Sequence, residues 1–316
     1  MKIAIIIPYF GKLPQIYSLW ETSAIHNSNY NFIIFTDDKH IKSQNNIIVI
    51  NMTFEYVKNL IKEKLGDYCV CPTAYKLCDY RPAFGLIFKD YIKSYDIIGW
   101  GDIDLIYGNL SKFLSNYDLE KYCYFSGYGH LTLHKNNTFC NTYFINHSSG
   151  FLNYKEVFAS PQNYIFDEYR HKGLSDMWLK NNPELVWKEK KFDDIFIPSM
   201  HYNFVSCNHE QEYKHLLFEY DYGNLYRIYL KNGKIIKEET MYVHFQKRNF
   251  MQIHTISKEH YLIVPNKFIE ITDINIRNIK KLTRIKGGEI LNRKLYVLKL
   301  LLKKCQKRFK ILISNQ

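Results

Sequence analysis

The sequence lacks the features of a disulfide-rich protein and of a membrane-spanning one. Its seven cysteines are scattered and include no Cys-x-x-Cys, which argues against a disulfide framework or a zinc cage and favours a reducing compartment. No apolar run approaches the roughly 18 residues that a transmembrane helix needs, and the first run stops at Pro8, too early for a signal peptide. We therefore expect a cytoplasmic protein.

Acidic residues are scarce in one segment, at the C-terminal side. Residues 277–316 contain thirteen lysines and arginines but a single acid, Glu289, so this segment alone accounts for the net charge of +12. The rest of the chain is neutral, which argues against a basic body that binds nucleic acid. A hydrophobic content of 46%, with 27 Tyr and 21 Phe, indicates a globular protein whose rings fill a core or stack on planar ligands.

Two carboxylates mark the stretch around which the chain is organised, residues 95–108. A short apolar run ends in Asp102 and Asp104, with glycines on both sides. Strand alternation puts both side chains on one face, within reach of a single Mg²⁺ or Mn²⁺ that completes its shell with phosphate oxygens. The spacing indicates diphosphate handling, although two acids this far apart also occur in ordinary turns.

Further polar residues follow the other predicted strands. Apolar runs at 2–7, 30–35 and 46–50 alternate with helical patterns at 13–25 and 54–65, which predicts an α/β sheet. Ligands gather at the carboxyl ends of such strands. The residues at these ends are Pro8, Tyr9, Phe10, Thr36 and Asp37, together with Asp102 and Asp104.

Two more segments carry candidate groups. Residues 74–91 have a helical pattern that Pro82 interrupts, and Lys76, Asp79 and Arg81 there either contact a donor's phosphates or sugar, or form a solvated helix face. Residues 240–248 form a short strand followed by cations. His244 is either a third metal ligand or a plain histidine, and Lys247 or Arg248 can neutralise a leaving diphosphate.

Together these residues resemble bacterial glycosyltransferases of the GT-A fold, the nucleotide-sugar-dependent class with a metal-binding Asp-x-Asp. They look more closely like a poorly characterised family encoded in bacterial capsule and O-antigen clusters. The resemblance covers about residues 1–250, and the matching blocks, in order, are 75–85, 95–108, 129–133, 166–168 and 243–248.

The resemblance implies a Rossmann-like mixed sheet flanked by helices and a sugar transfer from a nucleotide-sugar, with a UDP-sugar favoured. The implied donor contacts are Pro8, Tyr9, Phe10, Thr36, Asp37, Lys76, Asp79, Arg81, Gly101, Asp102, Lys247 and Arg248. Mn²⁺ or Mg²⁺ would be held by Asp102, Asp104 and His244. The general base of an inverting reaction would be Asp167, with Glu168 second and Asp176 in reserve, and His130 would contact the acceptor.

Three other functions compete with this interpretation. A dehalogenase-like phosphatase would carry its Asp-x-Asp near the chain start, followed by a small hydroxyl residue, whereas Leu105 and Ile106 follow here. A nucleotidyltransferase would have a Gly- and Arg-rich loop after its first strand, where residues 8–11 stand instead. A carbohydrate-binding protein without activity would explain the aromatic residues but not the aligned acidic strand ends.

The basic tail predicts where the protein works. We expect a glycosyltransferase domain at 1–265 and a helical tail at 266–316. Apolar residues there repeat in steps of four and three and form one stripe among the basic residues: Leu291, Leu295, Leu298, Leu302, Cys305, Phe309 and Leu312. Such a helix favours peripheral binding to an anionic inner membrane face and thus a glycan or lipid-linked acceptor. A homodimeric coiled coil and a nucleic-acid-binding tail are the alternatives.

Overall fold

The chain divides into two compact units, Met1–Lys191 and Phe192–Gln316. In the computed structural model, the described residues are 1–146, 149–196, 203–209, 213–246, 252–253, 256–265, 267–284, 294, 295 and 298. Each unit has its own sheet together with helices. The mixed α/β class expected from the sequence is therefore confirmed.

The first unit contains eight strands and ten helices among its described residues. The strands are β1 (Ile3–Pro8), β2 (Tyr30–Thr36), β3 (Ile47–Asn51), β4 (Ile97–Gly101), β5 (Leu105–Tyr107), β6 (Tyr124–Tyr128), β7 (Leu131–Lys135) and β8 (Val186–Trp187). The helices are α1 (Tyr17–Ile25), α2 (Phe54–Leu65), α3 (Leu77–Tyr80), α4 (Phe84–Ile87), α5 (Lys89–Ile92), α6 (Leu110–Phe113), α7 (Asn116–Lys121), α8 (Thr138–Asn141), α9 (Tyr154–Ala159) and α10 (Leu174–Asn181).

Seven of the strands described in this unit form one sheet in the order β3-β2-β1-β4-β7-β6-β8. The first four strands in that order are mutually parallel, and β7 then pairs antiparallel with β4. Because Ile6 pairs with Ile33 on one side and Trp100 on the other, β1, β2 and β4 end at the same edge. The predicted meeting of these polar strand ends is therefore observed.

The apolar character of these strands explains their central position. Residues Ile3 to Ile7 of β1 are all at most 3% exposed, as expected for a parallel strand covered on both faces. Helix α2 covers one face with Val57, Leu60 and Ile61, and its N-cap Thr53 accepts a hydrogen bond from the Tyr56 amide. Burying such a side chain stabilises the fold by about 1.5–3 kcal/mol, so these contacts stabilise the sheet whose edge carries the polar residues.

The helical pattern at 74–91 becomes a broken series of short turns. Tight turns at Ala74–Lys76 and Arg81–Ala83 separate α3 from its neighbours, and Pro82 lies at the start of the second turn. Proline has no amide hydrogen and cannot continue a regular helix, which accounts for the interruption. The break places Arg81 in a turn and not on an exposed helix face.

The second unit is built on an antiparallel sheet. Its described strands are β9 (Asp193–Asp194), β10 (Lys214–Asp221), β11 (Asn224–Lys231), β12 (Lys234–Glu239), β13 (Tyr242–His244), β14 (Gln252–Ile253), β15 (His260–Val264) and β16 (Lys267–Ile269), followed by α11 (Ile276–Leu282). Six of them form a sheet in the order β12-β11-β10-β15-β16-β14, while β9 and β13 pair in parallel. Helix α11 covers the sheet with Ile279, which is 1% exposed.

The boundary expected at residue 265 falls within a strand pair of this sheet, since Val264 of β15 pairs with Lys267 of β16. The basic, apolar-striped tail lies outside the described residues apart from positions 294, 295 and 298. Among the described residues, no helix is long and apolar enough to cross a membrane.

Candidate active site

The two carboxylates of the Asp-x-Asp follow β4 directly. Ile103 between them is 3% exposed, whereas Asp102 and Asp104 are half-buried, so the strand alternation continues past the end of β4. Carboxylate oxygens of the two residues lie within 4.8 Å of each other. The Asp102 amide donates to the His130 carbonyl at 3.1 Å, and Gly101 is the last, buried residue of β4. The pair thus presents hard oxygen donors of the kind that Mg²⁺ and Mn²⁺ accept.

The ends of β1 and β2 meet beside these acids. The Tyr9 amide donates to the Phe35 carbonyl at 2.8 Å, and the Gly11 amide donates to Asp37 Oδ1 at 3.1 Å. Burial, and then the charges of Asp104 and Asp102, raise the pKa of the Tyr9 phenol. The Tyr9 side chain therefore lies close enough to sense both carboxylates.

The remaining predicted nucleoside contacts differ in exposure. Pro8 and Phe10 are half-buried, and the Phe10 ring packs 5.4 Å from that of Phe54. Thr36 is fully buried, and its hydroxyl accepts from the Asp38 amide at 3.2 Å. Its side chain therefore shapes the loop after β2, and its role in donor binding stays a prediction.

Arg81 links two carboxylates that are far apart in sequence. Its Nη2 atom donates to Asp102 Oδ1, and its Nη1 atom donates to Asp167 Oδ2 at 2.8 Å. Burial alone would lower the pKa of Arg81, but the carboxylates of Asp102 and Asp167 outweigh it and hold the pKa well above its usual value. The guanidinium therefore stays charged while its side chain is only 10% exposed.

Asp167 is the most deeply buried of the three predicted bases. It is 1% exposed and, among the described residues, its Oδ1 atom has no hydrogen-bond partner. Burial raises the pKa of the Asp167 carboxyl, against the opposing attraction of Arg81. Glu168 beside it is half-buried. A buried carboxylate oxygen that lacks a donor is costly, and a substrate hydroxyl would satisfy it.

The absence of a side chain at Gly129 leaves space for Arg81, Asp167 and Glu168. A Cβ atom there would lie 2.3 Å from Glu168 Oε1, 2.7 Å from Arg81 Nη1 and 3.1 Å from Asp167 Oδ2. Any side chain would thus displace the charged groups. Next to it His130 is 4% exposed, and its ring stacks on that of Tyr128 at 5.4 Å. The predicted contact of His130 with the acceptor stays a prediction.

The other two charged residues of the 74–91 segment lie in the interior. Lys76 and Asp79 are both fully buried, and Lys76 Nζ lies 2.8 Å from Asp79 Oδ2. Lys76 also donates to the carbonyls of Val157 and Gln162. The solvated face considered for this segment is therefore wrong for these two residues, and their burial leaves no surface for the donor contact that the resemblance implied.

The buried pair instead fixes the loop that contains the predicted base Asp167, residues 164–173. Asp79 accepts from the amides of Tyr164, at 3.0 Å, and Phe166, at 3.1 Å. Asp176 at the start of α10 likewise accepts from the amides of Arg170, His171 and Lys172. Asp176, the reserve base, is thus engaged in holding the 164–173 loop in shape.

Removing the cation of the buried pair should destabilise the protein strongly. We expect Lys76→Met to lower the free energy of unfolding by about 3–5 kcal/mol, because Asp79 would remain buried without its counter-ion. Urea unfolding followed by circular dichroism measures the change. Lys58→Met is the matched control: its exposed pair with Glu55 spans 2.7 Å, and such pairs contribute about 0–1 kcal/mol. Equal losses in the two variants would contradict a special role for Lys76.

In the second unit, His244 is oriented by a carboxylate. Its Nδ1 atom lies 2.8 Å from Asp194 Oδ1, and the side-chain Nε2 of Gln246 donates to Asp194 Oδ2 at 2.8 Å. Metal-binding histidines commonly carry such a carboxylate on the nitrogen that does not face the metal. The part of His244 as a third ligand stays a prediction, and Lys247 and Arg248 lie outside the described residues.

A family model matches residues 5–272, most of the chain, and its description reads "Family of unknown function (DUF6625)". The chain belongs to this family. No curated protein matches it.

One solved structure that the chain matches is the apo-form glycosyltransferase GlyE of Streptococcus pneumoniae TIGR4. The sequence identity is 11% and the TM-score is 0.33; the match covers 60% of this chain and 46% of the GlyE chain. The DUF6625 chain therefore spans less than half the length of that neighbour, and so slight a likeness carries no argument about function.

The sequence did not predict two contacts of this DUF6625 member. Asp194 was not singled out, although the acidic pair Asp193 and Asp194 stands between Phe192 and Ile195. Arg81 was predicted to contact the donor or to lie on a solvated helix face, and not to bond Asp102 and Asp167, although Pro82 after it indicated a turn. Neither signal specifies a partner, because Asp167 lies 86 residues from Arg81 and Asp194 lies 50 from His244.

Proposed function

We propose that this protein is a GT-A-type glycosyltransferase that moves a sugar from a nucleotide-sugar to an acceptor hydroxyl. The observation that carries the proposal is the carboxylate pair Asp102 and Asp104 after β4, joined through Arg81 to the buried Asp167. Such a transfer needs a cation site and a proton acceptor near each other in one structural unit. The class would be a hexosyltransferase, with a UDP-sugar as the favoured donor.

The carboxylate pair would hold Mn²⁺ or Mg²⁺, with His244 as the predicted third ligand. Two carboxylates whose oxygens lie within 4.8 Å of each other fit such a cation. When bound, the cation would neutralise the diphosphate as it departs, which stabilises the transition state more than the ground state. Lys247 and Arg248 are proposed to assist this departure, and Tyr9 and Asp37 to contact the nucleoside.

Asp167 is proposed to take the proton of the acceptor. The acceptor oxygen forms a bond to the anomeric carbon, the bond from that carbon to the diphosphate breaks, and the hydroxyl proton passes to Asp167 Oδ1. The unpartnered Oδ1 atom and the raised pKa support this role. A base that acts opposite the leaving group favours inversion of configuration.

A nucleotide-release assay tests the proposal. The full chain is incubated with Mn²⁺ and a panel of sugar nucleotides, with and without glycan acceptors, and the released products are identified. We expect a nucleoside diphosphate from at least one donor. In a parallel reaction with added pyrophosphate, formation of a nucleoside triphosphate and a sugar phosphate would indicate a nucleotidyltransferase. Sugar binding without release would indicate a carbohydrate-binding protein, and either result would overturn the proposal.

The proposed acceptor is a glycan or lipid-linked oligosaccharide of bacterial surface polysaccharide synthesis, such as capsule or O-antigen. The support is the basic, apolar-striped tail, which would hold the enzyme at the anionic inner face of the membrane. Each Lys or Arg near such a surface contributes about 1 kcal/mol. A homodimer formed through the same stripe is the alternative.

Truncation after Gly287 should separate membrane binding from catalysis. We expect turnover on a soluble acceptor analogue to stay unchanged and binding to phosphatidylglycerol vesicles to be lost, because the stripe and most of the tail's positive charges are removed. Vesicle sedimentation and sedimentation velocity measure the two properties. Equal vesicle binding by both proteins, or dissociation of a dimer as the single effect, would count against a membrane role.

A further inference from the structure

Arg81 forms an ion pair with Asp102, one of the two carboxylates to which the proposed function assigns the cation. Its guanidinium donates to Asp102 Oδ1 through one nitrogen and to Asp167 Oδ2, 2.8 Å away, through the other. Asp102 is 32% exposed on its side chain, whereas Asp167 is 1% exposed. The guanidinium therefore reaches from the interior, where the base lies, to the accessible Asp-x-Asp.

A cation that binds Asp102 must share this carboxylate with Arg81. A guanidinium and a divalent cation repel each other, and at separations of several ångströms in a half-buried site this repulsion amounts to kilocalories per mole. Asp167 attracts the same guanidinium toward the interior. Gly129 has no side chain there, and so leaves space for the guanidinium. The strength of the Arg81 bond to Asp167 thus sets how firmly Asp102 is held.

We propose that Arg81 is a positioning residue that acts as the internal counter-ion of Asp102 and couples cation affinity to Asp167. When a divalent cation binds, the bond from Arg81 to Asp102 weakens while the bond to Asp167 persists. Cation binding and the position of the base are thereby linked through one side chain. This inference rests on the proposed function in its assignment of a cation to Asp102 and Asp104.

The linkage is tested by Mn²⁺ binding to the full-length protein, followed by electron paramagnetic resonance of free Mn²⁺. Arg81→Gln should tighten Mn²⁺ binding at least about tenfold, because a competing positive charge is removed. Asp167→Asn should weaken it at least about threefold, because a neutral amide attracts the guanidinium less than a carboxylate does and leaves Arg81 bound more firmly to Asp102. In the Arg81→Gln background the effect of Asp167→Asn should shrink below about twofold. Lys93→Gln, which removes a charge from an exposed pair with Asp90, should change nothing.

If the changes in Mn²⁺ affinity of the two single variants add up in the double variant, they reflect net charge alone and the linkage is refuted. An unchanged Mn²⁺ affinity in folded Arg81→Gln would also refute it. If Arg81→Gln does not fold, Arg81→Lys replaces it as the background, because a lysine cannot bond both carboxylates in the same way. In that variant we expect kcat to fall more than the KM for the donor rises. If the parent protein binds Mn²⁺ and releases nucleotide but the variants show no linkage, this inference alone is refuted. If the parent protein binds no Mn²⁺, the cation of the proposed function is refuted as well.

Discussion

Asp102→Asn and Asp104→Asn are each expected to abolish sugar transfer while the protein stays folded. Each change removes one charged oxygen from the pair that would hold the cation, and the loss of either leaves the diphosphate without its neutralising partner. Both side chains are half-buried at the polar edge of the sheet, so their replacement leaves the apolar core intact. Initial rates at saturating donor measure the loss, and circular dichroism measures the fold.

The matched control for these variants is Asp90→Asn, which removes a carboxylate from an exposed pair with Lys93 in the same unit. It should keep full activity. EDTA should reproduce the effect of the Asp102 and Asp104 variants in the parent, and added Mn²⁺ should reverse it. Full activity of the parent in excess EDTA would refute the cation requirement.

Asp167→Asn should lower kcat by roughly 10²-fold or more at saturating Mn²⁺, the effect expected when a positioned proton acceptor is lost. The KM for the donor should change little, because the carboxylate faces the acceptor hydroxyl in the proposed reaction. Since burial raises the pKa of Asp167, the base becomes protonated at a higher pH than an ordinary carboxyl. The acidic limb of the parent's kcat profile should therefore lie above the usual carboxylate range and disappear in the variant.

Glu168→Gln and Asp176→Asn are the comparison variants for the base. Glu168 lies beside Gly129 as Asp167 does, whereas Asp176 accepts hydrogen bonds from three backbone amides, so Asp176→Asn should act chiefly on stability. If Glu168→Gln loses kcat with an unchanged KM and Asp167→Asn does not, Glu168 is the base.

The parallel half of the first sheet could be predicted because its signal is local. An unbroken apolar run such as β1 supplies apolar side chains to both buried faces of the sheet. The predicted helix at 54–65 coincides with α2. The approach of Asp102 to the ends of β1 and β2 follows from the geometry of parallel strands, which needs no knowledge of side-chain contacts. For these elements local periodicity and the tertiary structure agree.

The antiparallel sheet of the second unit was not predicted, although its turns carry a clear signal. Asn232 and Gly233 connect β11 to β12 with φ values of 51° and 74°, and an Asn-Gly pair favours such a two-residue hairpin. The flanking strands mix charged and apolar residues, which obscures their alternation. The burial of Lys76 and Asp79 could not be predicted either, because the backbone groups that they bond lie 81 to 87 residues away.

The hydrogen bonds that hold the 164–173 loop have a consequence for the entropy of the reaction. Ile165, Arg170 and Lys172 adopt positive φ values of 57°, 69° and 59°, which such residues rarely do in a flexible chain. Ordering a backbone residue costs about 1–2 kcal/mol in conformational entropy. Because Asp79 and Asp176 fix the loop when the chain folds, that entropy is lost before any substrate arrives, and an acceptor would meet the proposed base on a backbone that is already ordered.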